Sequence, residues 1–218
     1  MGDQRSAAAV GALFQKKTIH AAEQDRPDVA ERRASWRIAQ LGLDPGKLIF
    51  IDETWAKTNM TRLRGRAPRG QRLIAKVSHG HWKTTTLIAA LDQRGVRCAA
   101  TVDGPVDADV FEAFCRGVLA PTLKPGDLVV IDNLSSHKTQ AVHQAIEETG
   151  AKVVYLPPYS PDLNPIELAF SKLKQLMRSA EHRTVRSLWT DTQRMLDQIT
   201  ASDAAGFFRP CGYSLHVE

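Results

Sequence analysis

The chain has 218 residues, which allows one sizeable hydrophobic core with an additional segment but is short for two full domains. Its composition, 43% apolar and 24% charged, is typical of a globular protein. No apolar run reaches the ~18–20 residues of a membrane span and no signal-peptide pattern is present, so we expect a cytoplasmic protein. Cys98, Cys115 and Cys211 form no CxxC pair, which argues against a structural zinc site or a disulfide framework.

The segment from residue 1 to about residue 45 is predicted to be a basic helical arm or linker. It is polar and Ala-rich, and its pattern favours helices over residues 15–24 and 27–41. The second helix would begin at Pro27, since proline fits the first turn of a helix. The segment offers few large apolar side chains, so we expect it to lie outside the main core.

Two runs of four apolar residues predict buried strands, Leu48–Ile51 and Leu128–Ile131, and each run ends on an aspartate. Further strands are predicted over residues 71–77, 84–91, 96–102 and 153–156. Helices are predicted over residues 107–119, 136–149, 164–180 and 184–199. Consecutive strands followed by helical crossovers predict an α/β fold, with a mixed sheet and helices on both of its faces.

A long stretch between Thr54 and Leu91 contains no acidic residue, whereas it contains eight basic ones. These are Lys57, Arg62, Arg64, Arg66, Arg69, Arg72, Lys76 and Lys83. A solvated basic loop is one interpretation. A basic stretch of this length more often contacts a polyanion, and nucleic acid is the leading candidate.

Asp52 and Asp132, the aspartates that follow the two buried strands, are candidates for one shared site. In open sheets, ligand sites lie beyond the carboxyl ends of parallel strands. Each aspartate alone could simply cap the turn after its strand. Two close carboxylates would repel each other, and a divalent cation is the usual remedy.

Glu167 is the third candidate, at the start of the helix that follows a proline-rich loop over residues 157–165. Asn164 suits the N-cap of this helix, so Glu167 could simply complete a capping box. Helical spacing, however, places Glu167 away from the apolar face. Three polar residues share its face: Ser171, Lys174 and Arg178. A carboxylate beside a basic row suits a metal ion bound next to a phosphodiester backbone, and three carboxylates suit Mg²⁺ or Mn²⁺.

Four motifs, in this order, resemble those of mariner-superfamily transposases from bacterial insertion sequences. They are IDETW at 51–55, GHWKTTT at 80–86, IDNLSSHK at 131–138 and LPPYSPDLNPIE at 156–167. The 34 residues between Asp132 and Glu167 also match the spacing in the D, D, E triad of that superfamily. The resemblance implies a ribonuclease H-like domain with a five-stranded sheet over residues 46–182, in which Asp52, Asp132 and Glu167 bind two Mg²⁺ or Mn²⁺ ions. Residues 183–218 would form a C-terminal helix and tail packed on the core.

The resemblance also implies an activity. A transposase of this kind cuts DNA at transposon ends and joins the freed 3′-hydroxyls to target DNA, commonly at TA dinucleotides, as a homodimer in the DNA complex. Only about 45 residues precede the predicted core, too few for the helix-turn-helix region that recognises the ends in full-length relatives. We therefore expect a truncated copy, or the second reading frame of a split transposase whose upstream frame encodes the helix-turn-helix product.

Ten basic residues are expected to contact DNA: Arg62, Arg64, Arg66, Arg69, His81, Lys83, His137, Lys138, Lys174 and Arg178. For His137 and Lys138, the alternative is a solvated start of the next helix. A metal site formed by His79 and His81 is disfavoured, since no cysteine or acidic residue accompanies them. Glu53 would point away from Asp52 on a continuing strand, so it is left out of the metal site.

Two other functions stay open at this point. A different ribonuclease H-like nuclease would need a glutamate on the first helix of the domain, where Glu112 is available. A non-catalytic remnant would only bind DNA or a full-length transposase.

Overall fold

A computed structural model describes residues 21–74, 76, 82–134 and 137–213 of the chain. Its centre is one mixed sheet of five strands: β1 (Leu48–Lys57), β2 (Thr84–Asp92), β3 (Gly95–Val102), β4 (Leu128–Ile131) and β5 (Lys152–Tyr155). The strand order is β3-β2-β1-β4-β5. β1, β2 and β3 pair in antiparallel fashion, whereas β4 is parallel to β1 and β5 is parallel to β4. The predicted five-stranded mixed sheet is therefore confirmed.

Six α-helices accompany the sheet in the described part of the chain: α1 (Pro27–Ala39), α2 (Ala108–Phe114), α3 (Gln140–Glu147), α4 (Pro165–Ala180), α5 (Val185–Leu196) and α6 (Ala201–Phe208). A π-helical turn over Cys115–Leu119 continues α2. Single 3₁₀ turns occupy Ala22–Asp25, Gln40–Gly42, Pro45–Lys47, Ala120–Thr122, Pro161–Leu163 and Arg209–Cys211. None of the helices in the described residues is long and apolar enough to cross a membrane.

Two hydrophobic cores cover the two faces of the sheet, as strand alternation requires. Phe50 of β1 faces one core, which α4, α5 and α6 complete. Ile49 and Ile51 face the other core, beneath α2 and α3. The ring of Phe50 packs edge-on against Phe208 at 5.3 Å and tilted against Tyr213 at 5.0 Å, so the C-terminal segment contributes directly to the first core.

Two strand predictions need correction. β1 does not end at Asp52 but continues to Lys57, because β2 supplies an antiparallel partner from Phe50 to Lys57. The strand predicted over 71–77 is absent from residues 71–74 and 76, whereas 75 and 77 lie outside the described residues. Leu73 and Ile74 are 52% and 77% exposed, so no strand among the described residues buries this apolar stretch.

Some helix predictions also differ from the structure at their ends. Of the helix predicted over 15–24, residues 15–20 lie outside the described part, and Ala22–Asp25 form a 3₁₀ turn. α3 begins at Gln140 instead of residue 136, because the Thr139 side chain accepts a hydrogen bond from the Val142 amide and caps the helix there. α6 was not predicted, since its eight residues, ASDAAGFF, carry only a short apolar pattern.

The arm helix α1 is fastened to the loop that precedes α4. The guanidinium of Arg33, only 8% exposed as a residue, forms a two-pronged contact with the Asp162 carboxylate, at 2.9 Å and 2.7 Å. It also donates to the Ser160 hydroxyl at 2.7 Å. Burial by itself would raise the pKa of Asp162, but the hydrogen bonds and charge of Arg33 outweigh it and lower that pKa. The arm is thus held by a specific charged contact rather than by a large apolar face.

We expect Arg33→Met to lower the free energy of unfolding by about 1–3 kcal/mol, because it leaves a half-buried carboxylate without its partner. Urea unfolding followed by circular dichroism measures this change. Arg37→Met is the matched control, since Arg37 is exposed and lies 3.6 Å from the same carboxylate. The control should cost less than about 0.5 kcal/mol. Equal losses in the two variants would contradict the assignment of Arg33 as the anchor.

Candidate active site

The parallel pairing of β1 with β4 brings Asp52 and Asp132 together. Ile51 and Ile131 form the last residue pair of this ladder, and the two aspartates follow them directly. Both side chains line one cleft of about 380 Å³. Glu167, on the first turn of α4, lines the same cleft. The structure therefore brings the three sequence-predicted carboxylates to one place.

Asp52 is half-buried, and each of its two carboxylate oxygens accepts a hydrogen bond. Its Oδ1 accepts a hydrogen bond from the Glu53 amide at 2.8 Å, and its Oδ2 accepts one from the Asn164 side-chain amide at 2.9 Å. Burial, together with the nearby charges of Glu167, Asp132 and Glu53, raises the pKa of Asp52 to about 8. A buried acidic group that is surrounded by other acidic groups is the arrangement that a cation would relieve.

Glu167 does not take part in a capping box. The Asn164 side chain makes no capping hydrogen bond to α4, because its amide is turned toward Asp52 instead. Burial raises the pKa of Glu167, the charge of Lys174 partly offsets this, and Asp132 adds to the rise. Glu167 therefore does not serve as the capping-box residue of α4. Its carboxylate instead interacts electrostatically with the aspartates of the cleft.

The proline-rich loop between β5 and α4 forms one wall of the cleft, from Leu156 to Pro161. Tyr159 has a positive φ of 54°, which is uncommon for a residue other than glycine. Its carbonyl accepts hydrogen bonds from Gln24 at 2.6 Å and from Arg33 at 3.3 Å. Contacts from the arm therefore hold this unusual backbone conformation at the edge of the cleft.

His137 lies in the interior, which corrects the expectation that it contacts DNA. Its side chain is 1% exposed, and its Nδ1 lies 2.6 Å from Oδ1 of Asp132. Its Nε2 lies 3.2 Å from Oε2 of Glu53. Burial would lower the pKa of His137, but the two carboxylates outweigh it and raise this pKa to about 9. The alternative of a solvated helix start is wrong as well, since the ring is enclosed.

The chemistry of the cleft fits a hard divalent cation. Asp52, Asp132 and Glu167 supply carboxylate oxygens, the ligands that Mg²⁺ and Mn²⁺ prefer. The buried Oδ1 of Asn164, another oxygen at the cleft, has no hydrogen-bond partner among the described residues. Within those residues, no three His, Cys, Asp or Glu side chains are grouped closely enough to hold a metal ion together. The oxygen ligands around the cleft are thus of the type that binds Mg²⁺ or Mn²⁺.

A basic groove runs along α4, the helix whose first turn carries Glu167. Arg62 and Arg64 of the basic stretch line it together with Arg178. Lys174 is on the same helix, where its charge acts on Glu167, and its ammonium lies 4.8 Å from the ring centre of Trp55. Burial lowers the pKa of Lys174, although the charge of Glu167 acts in the opposite direction. Four of the predicted DNA contacts therefore lie on or against α4, the helix that carries Glu167.

The remaining predicted DNA contacts are more dispersed. Arg66, Arg69, Lys83 and Lys138 have exposed side chains. The ammonium of Lys138 contacts Oδ1 of Asn133 and lies 5.4 Å from the centre of the Tyr155 ring. His81, and His79 with it, lies outside the described residues.

Glu112, the residue that a different nuclease would need, does not line the cleft. Its carboxylate forms an ion pair with Arg116, one turn further along the helix, at 3.3 Å. The geometry therefore favours Glu167 over Glu112 as the third carboxylate.

Sequence reasoning missed two contributors to the site. Asn164 was assigned only as an N-cap, and Glu53 was set aside because its side chain leaves the Asp52 side of β1. Alternation along β1 does separate Asp52 from Glu53, yet the Glu53 side chain reaches His137. The Asn-Pro step at the start of α4 was the one signal for Asn164, and it did not distinguish a cap from a contact with Asp52.

Residues 47–189 match the sequence model of the family described as DDE superfamily endonuclease. The chain belongs to this family. The match includes all three carboxylates of the cleft, and it confirms the prediction of a DDE-type nuclease domain. No curated protein sequence matches the chain.

Solved structures of Mos1 resemble this DDE domain. The Mos1 strand transfer complex has a TM-score of 0.70 and 19% identity, covering 92% of this chain and 62% of that chain. The Mos1 mariner paired end complex with Mg has a TM-score of 0.69 and 20% identity, covering 92% and 65%. The catalytic domain of Mos1 mariner transposase has a TM-score of 0.58 and 18% identity, covering 86% and 88%. These likenesses confirm the ribonuclease H-like fold, and the DDE chain spans less than two thirds of the longer Mos1 chains.

We expect Asp52→Asn to stabilise the DDE domain in EDTA at pH 8 by about 1–2 kcal/mol, or about 3–6 °C in melting temperature. The folded state raises the pKa of Asp52 from 3.8 to about 8. Below pH 3.8 the carboxyl is neutral in both states. Between pH 3.8 and 8 only the unfolded state ionises, so the stability of the wild type falls as pH rises through this range. The gain from Asp52→Asn should therefore grow from pH 4 to pH 8.

Thermal unfolding at several pH values, without divalent metal, checks this expectation. Asp103→Asn is the control, because Asp103 is exposed and does not line the cleft. A gain for Asp52→Asn that does not change with pH would contradict the electrostatic explanation.

Proposed function

We propose that this chain is the catalytic domain of a DNA transposase, which cuts DNA at transposon ends and joins the freed 3′-hydroxyls to target DNA. The observation that carries the proposal is the meeting of Asp52, Asp132 and Glu167 in one cleft of a DDE-family fold. The Mos1 structures with a similar fold are described as a strand transfer complex and a paired end complex, which supports a DNA substrate.

In this proposal, Asp52, Asp132 and Glu167 hold two Mg²⁺ or Mn²⁺ ions. When bound, such ions activate the attacking hydroxyl and stabilise the charge on the leaving oxygen during an in-line displacement at phosphorus. Cleavage by water forms one P–O bond and breaks the bond to the 3′-oxygen, which takes up a proton. In strand transfer, that 3′-hydroxyl forms the new P–O bond to target DNA, and the target's own 3′-oxygen leaves.

The residues around the carboxylates have separate tasks. Asn164 and the Glu53 amide orient Asp52 through their hydrogen bonds. Lys174, beside Glu167, supplies positive charge next to the cleft for a phosphate. Arg62, Arg64 and Arg178 extend this positive surface along α4, where a DNA backbone can follow it. The polyanion is thus guided to the carboxylates, which by themselves would repel it.

The finer assignments belong to the same proposal. The four motifs support a transposase of a bacterial insertion sequence in the mariner superfamily, acting in the cytoplasm, where bacterial DNA lies. The activity then needs two copies in the DNA complex, one for each transposon end, and joins the ends to TA target sites. An upstream-frame helix-turn-helix product would supply recognition of the transposon ends.

We expect the protein to nick supercoiled plasmid DNA in Mg²⁺ or Mn²⁺ but not in EDTA. Asp52→Asn, Asp132→Asn and Glu167→Gln should each lower the nicking rate by more than about 100-fold. Even the replacement of residues that only hydrogen-bond to metal ligands typically lowers activity by about 10–100-fold. Gel electrophoresis of plasmid topoisomers over time measures the rate.

Glu112→Gln is the matched control for these carboxylate changes and should nick at the wild-type rate. Loss of nicking in Glu112→Gln with retention in Glu167→Gln would identify a different nuclease. A wild-type protein that binds DNA but never nicks it would favour the non-catalytic remnant.

We also expect Arg62→Gln and Arg64→Gln to weaken DNA binding evenly across sequences. Each lost phosphate contact should reduce the slope of log affinity against log salt concentration by about 0.9. Fluorescence anisotropy with a mixed-sequence duplex at several salt concentrations measures both quantities. Lys152→Gln removes the same charge at the opposite end of the sheet, where β5 begins, and should leave the slope unchanged.

A further inference from the structure

His137 is a buried ionisable residue that the proposed reaction does not use. Both of its ring nitrogens face carboxylates: Nδ1 lies 2.6 Å from Asp132 Oδ1, and Nε2 lies 3.2 Å from Glu53 Oε2. No edge of the ring remains for DNA, because the side chain is 1% exposed. We propose that His137 is a positioning residue, which fixes the carboxylate of Asp132 by joining it to Glu53. This inference rests on the proposed role of Asp132 in catalysis.

The contacts of Asp132 explain why such a residue is needed. Asp132 lies just beyond the end of β4, so no strand pairing restrains its backbone. Its Oδ1 receives the contact from His137 and a hydrogen bond from the Leu134 amide at 3.1 Å. Its Oδ2 has no hydrogen-bond partner among the described residues. One oxygen is therefore fixed by the protein, while the carboxylate still lines the cleft.

Glu53 connects the same imidazole to the other aspartate. Its backbone amide donates to Oδ1 of Asp52 at 2.8 Å, while its side chain reaches His137 from the opposite side of β1. A continuous series of contacts thus runs from Asp52 through Glu53 and His137 to Asp132. Glu53, which is not one of the three proposed metal ligands, thus has the role of holding His137.

The ring of His137 is itself held in place. It stacks on Phe111 of α2, with ring centres 3.9 Å apart and an angle of 20° between the planes. Its backbone amide donates to the Leu134 carbonyl at 3.2 Å, and its own carbonyl accepts from the Tyr155 hydroxyl at 3.3 Å. A side chain locked by packing and hydrogen bonds can hold a ligand within the narrow tolerance that catalysis requires.

Replacing His137 by asparagine or by glutamine tests its contacts with Asp132 and Glu53 one at a time. Asparagine places its amide nitrogen near the position of Nδ1 and can keep the contact with Asp132. Glutamine places its amide nitrogen near the position of Nε2 and can keep the contact with Glu53. Both variants lose the stacking on Phe111, so His137→Asn and His137→Gln are matched for lost packing.

We expect His137→Gln to lower kcat for plasmid nicking by about 10–100-fold without raising KM for DNA, whereas His137→Asn retains most of the wild-type kcat. Calorimetric titration with Mn²⁺, which needs no turnover, should show affinity weakened by about 10–100-fold in His137→Gln only. Circular dichroism verifies that both variants fold. Equal kcat and equal Mn²⁺ affinity in the two variants would overturn the proposal, and so would a rise in KM for DNA alone.

Glu53→Gln and Glu53→Ala keep the inference testable if the His137 variants do not fold. The glutamine keeps the shape of the side chain but loses the charge of the ion pair with Nε2, so its kcat should lie between those of the wild type and the alanine, which should lower kcat most. Equal rates in the wild type and Glu53→Ala would overturn the positioning role. If Asp132→Asn abolishes nicking while His137→Gln nicks at the wild-type rate, this inference is rejected and the proposed function stands. A wild type that neither nicks DNA nor binds Mn²⁺ rejects the proposed function itself.

Discussion

Parallel pairing between β1 and β4 is the constraint on which the site depends. Because the shared ladder ends at Ile51 and Ile131, the next residue on each strand is placed beside the other, and both are aspartates. The ladder therefore brings the two residues side by side at the centre of the sheet. The hydrophobic cores on both faces of the sheet provide the stability that tolerates this electrostatic cost.

The surroundings of the aspartates compensate for this crowding with donors from distant parts of the chain. Asn164 arrives from the start of α4, and His137 arrives from the segment after β4. Hydrogen bonds stabilise a carboxylate most when the donor is held rigidly and shielded from water. The arm contributes to this rigidity, because Arg33 fixes the loop that leads into Asn164. Catalytic chemistry and arm attachment are therefore parts of one connected structure.

Much of the fold could be predicted because local patterns determined it. The apolar runs before Asp52 and Asp132 identified the two central strands, and helical spacing identified the exposed side of α4 that carries Glu167. The errors have a common physical origin. β1 was predicted too short because its polar second half is stabilised by pairing with β2. Residues 71–74 were predicted as a strand, although they pair with no strand in the part of the chain that the structure describes.

By itself, the sequence determined which residues could bind a cation, which strands would be buried and where positive charge would accumulate. These properties depend on residue type and on periodicity along the chain. Only the tertiary structure decided that His137 is enclosed between two carboxylates, that Asn164 serves Asp52 rather than α4, and that Glu167 is free of a capping box. Such contacts join residues up to 112 positions apart, and which donor meets which acceptor is set by strand pairing and helix packing.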